Sequence, residues 1–169
     1  MAEFKGTREA FAQALIDLAA ENDKIMFVSP DSLKAMRATE FAKLHPEQYV
    51  ETGISEQGAV DAAAGLASAG LVPFVGTYAG FLTMRACEQM RTFVAYPNLN
   101  VKFVGINSGL LGGEREGVTH QFYEDLGILS NIPNYTILTP ADAAQTYHAV
   151  KMAAKIDGPV YVRAGSGCL

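Results

Sequence analysis

The stretch Tyr49-Val50-Glu51-Thr52-Gly53-Ile54-Ser55-Glu56-Gln57-Gly58 continues through a helical pattern to about Ala69 and then into Leu71-Val72-Pro73-Phe74-Val75-Gly76-Thr77. Tyr49 to Gly53 is a short apolar and β-branched run, so it reads as a strand. The helix opens at Ser55 or Glu56, and Leu71 to Thr77 is a second strand. Strand, turn, helix and strand in that order form a β-α-β unit, the building block of a parallel sheet.

Outward from this unit the same alternation continues in both directions. Upstream, a helix begins near Thr7, read as its N-cap, and sets Phe11, Leu15 and Leu18 on one face. Ile25 to Val28 follows as a buried strand that ends in Ser29-Pro30-Asp31-Ser32, and a helix from about Met36 to Leu44 stops at Pro46. Downstream, a long helix is expected from Gly80 or Phe81 to Val94, then a strand from Val101 to Ile106. Asn107 to Thr119 is the longest stretch without a pattern, and it carries four glycines. Loops of that length inside a domain are usually functional. A short helix over Phe122–Leu129, the strand Tyr135–Leu138, a helix over Ala141–Lys155 and the strand Val160–Arg163 complete six units. The expected fold class is therefore α/β: a doubly wound, mainly parallel six-stranded sheet with helices on both faces. Residues 1–164 are expected to form one domain and residues 165–169 a linker-like tail.

The chain has 169 residues, a formal charge of −5 and 49% hydrophobic residues, a balance that excludes a disordered chain. The acidic excess argues against a nucleic-acid partner. The two cysteines, Cys87 and Cys168, form no disulfide framework or metal-ligand spacing, which suits a reducing compartment. No apolar run approaches a membrane span, and Met1 to Gly6 lacks the features of a signal peptide. The expected setting is soluble and cytoplasmic, with no membrane partner.

Loops at the carboxyl ends of parallel strands are where open α/β sheets hold ligands. Glu56 lies in such a place, where a carboxylate either favours the helix dipole or serves a ligand. Gly53 and Gly58 are spaced as in a phosphate loop, but Ala59-Val60 follow where Lys and Ser or Thr would be needed. Tyr78 and Phe81, three residues apart, suit stacking on a flat heterocycle or packing in the core. His120 closes the glycine-rich loop, where an imidazole is either structural or able to titrate and hydrogen-bond near neutral pH. His45, His148 and the Ser29-Pro30-Asp31-Ser32 turn have weaker claims. Hydrolase elbows, zinc motifs and the dinucleotide fingerprint are all absent.

Five short motifs occur in one order: Gly53-Ile54-Ser55-Glu56-Gln57, Gly76-Thr77-Tyr78-Ala79-Gly80-Phe81, Glu116-Gly117-Val118-Thr119-His120-Gln121, Ile132-Pro133-Asn134 and Thr139-Pro140-Ala141-Asp142. Each is weak singly. Together, from about Thr7 to Arg163, they make the chain resemble the pyrimidine-binding domain of the transketolase family. Most similar is the start of the carboxyl-terminal subunit of split bacterial transketolases; the deoxyxylulose-phosphate synthases share the same domain.

The resemblance implies thiamine diphosphate as cofactor and sugars as substrates, with a two-carbon ketol unit transferred between them. It assigns Glu56 to the pyrimidine N1′, where the contact favours the imino tautomer whose 4′ nitrogen removes the thiazolium C2 proton. It assigns Tyr78 and Phe81 to the faces of the pyrimidine, and His120 to catalysis and to the donor hydroxyls. Glu116 stands where the family has an aspartate that reads the 2-hydroxyl. Ser108 occupies the place of a histidine that helps hold the sugar phosphate, and Arg115 replaces a usual acid. These departures leave phosphorylated acceptors open. The family's Gly-Asp-Gly and downstream Asn, which hold the diphosphate and its Mg²⁺, belong to another domain. The one Asp-Gly here, Asp157-Gly158, has no such Asn after it. No metal site is expected in this chain, and a diphosphate-binding transketolase subunit is expected as partner in a homodimer or hetero-oligomer that shares the cofactor. A deoxyxylulose-phosphate synthase-like or other thiamine-dependent enzyme component, and a non-catalytic assembly or regulatory module that retains the fold, stand as alternatives.

Overall fold

Six strands, β1 (Ile25–Ser29), β2 (Tyr49–Glu51), β3 (Val72–Tyr78), β4 (Lys102–Ile106), β5 (Thr136–Leu138) and β6 (Val160–Arg163), lie in the order β2-β1-β3-β4-β6-β5. Every neighbouring pair is parallel, so the expected mainly parallel sheet is parallel throughout. These observations come from a computed structural model that describes residues 4–110 and 116–165.

Alternation along the strands divides the core in two. Phe27, Phe74, Val104 and Val162 face helices α1 (Thr7–Glu21) and α6 (Ala143–Ala153). Val28, Val75, Phe103 and Tyr161 face α3 (Glu56–Ser68), with Leu82, Met90 and Val94 from a helix broken into three parts and Leu129 of α5 (Asp125–Leu129). Burial on both faces explains why these strands are continuous apolar runs. Phe27 is fully buried between Phe11 and Phe41, with ring centroids 5.7 and 5.8 Å away. From β1 the chain winds one way to β2, then passes back over β1 to β3. That reversal opens a crevice at the carboxyl ends of the strands, where ligands bind in such sheets.

Element ends differ from the sequence expectation for local reasons. Thr7 is the first residue of α1 rather than its cap, and its hydroxyl donates to the Gly165 carbonyl at 2.5 Å. Helix α2 (Thr39–Leu44) starts three residues later than expected, because Arg37 sits in the left-handed region at φ 57°. β2 ends at Glu51, two residues early, since Gly53 at φ 68° has already turned. Helix α6 starts at Ala143 because Asp142 caps it: Oδ1 accepts from the Gln145 amide at 2.7 Å, while Gln145 Oε1 accepts from the Ala141 amide at 3.1 Å. Phe122, expected to open α5, instead exchanges two backbone hydrogen bonds with Gly109 at 2.6 and 3.1 Å. The largest departure is the helix expected up to Val94. It forms π-helical turns at Phe81–Arg85 and Met90–Ala95 around a short α4 (Cys87–Gln89).

At the opposite end of the sheet from the crevice, the fully buried Lys102 donates through Nζ to Asn100 Oδ1 (2.5 Å) and to the carbonyls of Ile156 (2.5 Å) and Gly158 (2.7 Å). Burial, partly offset by the charge of Asp157, lowers its pKa to about 8. Between that value and the ordinary lysine range the unfolded chain binds the extra proton, so this residue's contribution to stability rises with pH and is lost as pH falls through about 8. Urea unfolding between about pH 7.5 and 9.5 is expected to show wild type gaining on Lys102→Met; parallel curves would contradict this.

Candidate functional site

Glu51 closes β2 and shapes the turn that follows. Its Oε1 accepts the amides of Asp31 (2.7 Å) and Gly53 (2.9 Å), and its Oε2 accepts the Tyr49 hydroxyl at 2.6 Å. Burial opposes its ionisation, but these hydrogen bonds hold the carboxyl below its usual range. Across the crevice, the hydroxyls of Ser32 and Thr77 meet at 2.6 Å and tie the turn after β1 to β3. The polar Ser29-Pro30-Asp31-Ser32 turn thus braces the crevice wall.

That framework delivers Glu56 as the first residue of α3, only 4% exposed. Its Oε1 accepts from Arg85 Nη1 at 2.8 Å, and the Arg85 carbon Cζ lies 4.3 Å from the centre of the Phe81 ring. Phe81 opens the first π-helical turn directly beyond β3, and Tyr78 is the last residue of that strand. Their centroids are 5.4 Å apart at 68°, so the two rings share an aromatic corner rather than one helix face. His120 completes the corner, edge-on to Tyr78 at 4.5 Å and to Phe81 at 5.2 Å, with Nδ1 2.8 Å from Thr119 Oγ1. Beside these rings a cavity of about 280 Å³ is lined by Phe81, Met84, Arg85, Thr119, Gln121 and Glu124, among others.

On the far side of Tyr78, Asn107 follows β4 in the left-handed region. Its Oδ1 accepts from Arg8 Nη2 at 2.7 Å, and its Nδ2 donates to Glu116 Oε2 at 3.3 Å. Burial and the charge of Glu116 raise the Tyr78 pKa, against the opposing pull of Arg8. Sequence reasoning does not pick out Arg8 or Asn107. A cation in the first turn of α1 opposes the helix dipole, and that misplacement is the available signal. Arg85 escapes as well, because its partner Glu56 lies 29 residues away along the chain.

Ser108 is buried and its hydroxyl donates inward to the Gly105 carbonyl at 3.0 Å. Next to it lies a second buried polar group. Asp125 Oδ2 accepts from the Tyr161 hydroxyl and from Arg163 Nε, each at 2.9 Å. The expected contribution of Arg115 falls outside the described residues. Among the described residues no cluster of three or more His, Cys, Asp or Glu side chains could hold a metal, and no helix is long and apolar enough to cross a membrane.

The structure therefore gathers Tyr78, Phe81 and His120 into one corner, links Glu56 to it through Arg85, pairs Glu116 with Asn107, and turns Ser108 inward. The buried carboxylate beside flat aromatic surfaces fits a protonated, planar nitrogen heterocycle: an N–H donor for the oxygen and a ring for the rings. Met84 (55% exposed) and Val118 (81%), which line the cavity, and Ile54 (79%) and Tyr123 (61%), close in sequence to Glu56 and His120, leave large apolar side chains in water.

Gly80 seats the histidine loop. A β-carbon there would lie 2.7 Å from the Phe122 ring, so that ring would have to move. Gly80→Ala is expected to cost about 1–3 kcal/mol and to shift the amide resonances of residues 118–122. Unchanged spectra and stability would contradict the close packing.

The model of the family described as transketolase, pyrimidine binding domain, matches residues 5–167. A putative transketolase C-terminal section from Methanocaldococcus jannaschii is 36% identical over 160 residues, 95% of this chain and 50% of that protein. A 1-deoxy-D-xylulose-5-phosphate synthase from Leptothrix cholodnii is 42% identical over 161 residues, 94% of this chain and 25% of that protein. Among solved structures, a split-gene transketolase in the form of an inactive beta4 tetramer superposes with a TM-score of 0.85 at 42% identity, covering 98% of this chain and 53% of the other. The chain thus spans half the length, or less, of the curated relatives it matches.

Proposed function

This chain belongs to the transketolase family as its pyrimidine-binding domain, and from that premise we propose that it supplies the pyrimidine half of a shared thiamine diphosphate site in an enzyme transferring a two-carbon ketol unit between sugars. The observation that carries the proposal is the nearly buried Glu56 carboxylate, joined through Arg85 to the Tyr78–Phe81–His120 corner. When bound, thiamine diphosphate supplies an acidic thiazolium carbon that can hold electrons released from a sugar carbonyl.

This chain's own share is binding and proton management. Glu56 holds a proton between its carboxylate and the pyrimidine N1′, at a site where burial makes the shared proton strongly felt. Tyr78 and Phe81 offer apolar faces that fix the ring's tilt. His120, with Nδ1 engaged by Thr119, presents Nε2 to a donor hydroxyl. Glu116 accepts from a second hydroxyl while Asn107 steadies it. The diphosphate and its Mg²⁺ fall to a partner chain bearing the Gly-Asp-Gly sequence, which docks over Ile54, Met84, Val118 and Tyr123. The setting we propose is cytoplasmic, in a homodimer or hetero-oligomer.

The test is calorimetry of thiamine diphosphate with the chain, with the diphosphate-binding partner and with their mixture. Tight binding is expected only in the mixture. Equally tight binding by this chain alone contradicts the shared site. The 42% identity to a 1-deoxy-D-xylulose-5-phosphate synthase favours a second reading, in which the same site serves a pyruvate-consuming enzyme. Assays of the mixture for consumption of a ketose or of pyruvate separate the two.

A further inference from the structure

The contact between Glu56 and Arg85 has no place in the cofactor site just described, and its geometry is specific. One guanidinium donates to the Glu56 carboxylate at 2.8 Å and lies 4.3 Å over the Phe81 ring. Those are the two contacts that an aminopyrimidine would make here. The guanidinium is flat, cationic and carries N–H donors along its edge; a pyrimidine protonated at N1′ is also flat, cationic and donates one N–H in its plane.

Building on the proposed cofactor site, we propose that Arg85 is a displaceable occupant of the pyrimidine position, holding Glu56 and the Phe81 face until the cofactor's ring takes both. Three features of the chain support this. First, the Glu56 side chain is only 5% exposed, and a buried carboxylate with no partner is strongly destabilising, so a chain awaiting its cofactor gains from a stand-in cation. Second, the Arg85 side chain is 49% exposed and leaves for water without opening the core. Third, acceptors lie nearby. Glu124 lines the same 280 Å³ cavity as Arg85, and Glu88 is exposed three residues further along the chain. The π-helical turn Phe81–Arg85 puts the guanidinium over the ring that begins the same turn, so stacking and ion pairing come from one local segment.

If Arg85 were instead a permanent neutralising partner, its removal would misplace Glu56 and weaken ring binding. Displacement predicts the opposite, because removing the competitor raises the fraction of chains ready to bind. The probe is thiamine, which carries the pyrimidine but no diphosphate, titrated into the isolated 169-residue chain while the amide resonances of residues 56, 78 and 81 are followed. Arg85→Met is expected to tighten thiamine binding by about tenfold, and Glu56→Gln added to it is expected to abolish that gain. In wild type, the guanidinium resonances of Arg85 are expected to move toward those of a solvated arginine as thiamine saturates. Arg85→Gln, which keeps a donor without the charge, is expected to fall between, and thermal unfolding checks that each variant is folded.

If Arg85→Met binds thiamine equally or more weakly while Glu56→Gln weakens wild-type binding, the displacement is overturned and the pyrimidine site stands. If Glu56→Gln has no effect in either background, both are overturned. Absence of saturable binding by Arg85→Met also overturns the displacement.

Discussion

Glu56→Gln slows exchange of the thiazolium C2 proton of thiamine diphosphate by about 10²-fold or more when the exchange is measured in deuterium oxide on the complex of this chain with its diphosphate-binding partner. The amide keeps the size and most of the hydrogen-bonding reach of the side chain, but it cannot share a proton with a ring nitrogen. Affinity is therefore expected to fall much less than rate. Burial sharpens the effect, because at 4% exposure water has little access with which to replace the lost acid–base partner. Quenched-flow exchange followed by proton NMR of the recovered cofactor measures it, and an unchanged rate removes Glu56 from the proton path. Arg85 enters the comparison as well: a neutral amide in place of the Glu56 carboxylate would hold the guanidinium less strongly, so a weaker plug partly offsets any loss of cofactor affinity in the variant.

Asp125→Ala is expected to destabilise the fold by about 3–5 kcal/mol, the scale for removing one member of a buried ion pair. Asp125 is fully buried, and its loss leaves the Arg163 guanidinium and the Tyr161 hydroxyl without their shared acceptor. Burial already raises the Tyr161 pKa well above its ordinary value, with the Asp125 charge adding to it, so that hydroxyl stays protonated and in need of an acceptor. For a chain of this size each kcal/mol moves the thermal midpoint by roughly 2–4 °C, so the shift should be on the order of 10 °C. Asp125→Asn, which keeps an acceptor but removes the charge, should lie between Ala and wild type. A loss under about 1 kcal/mol in Asp125→Ala would mean that the pair contributes no more than an exposed one. Asp125 also opens α5 directly after the loop that carries His120, so the same variant is expected to broaden the resonances of residues 118–122.

The sheet was legible because its four central strands are largely buried on both faces. Runs such as Ile25–Val28 and Leu71–Val75 are apolar throughout, and turn-forming residues such as Pro30 and Gly70 lie beside them. Glu56 was legible as a place, the first turn of a helix after a strand, but its task came from the resemblance, since an acid there serves the helix dipole just as well. Spacing alone puts Tyr78 and Phe81 on one face of a helix. They meet instead across the end of β3 and the start of a π-helical turn, because Tyr78 still belongs to the strand. Arg8 and Arg85 escape because their partners lie far along the chain: Asn107 is 99 residues from Arg8 and Glu56 is 29 residues from Arg85. Side-chain pairs made by tertiary folding leave no periodic trace in sequence. Helix starts differ by a few residues wherever one left-handed residue or one side-chain cap decides the boundary, as at Arg37 and Asp142.

The claim beneath all of this is that the carboxylate of residue 56 meets a vitamin-derived ring held between two polypeptides. A crystal structure of the chain with its diphosphate-binding partner and thiamine diphosphate measures that contact directly. The account predicts a Glu56 oxygen within hydrogen-bonding reach, about 2.6–3.2 Å, of the pyrimidine N1′, with the Arg85 guanidinium moved off Phe81. A Glu56 carboxylate still paired with Arg85 while the ring binds elsewhere would contradict it.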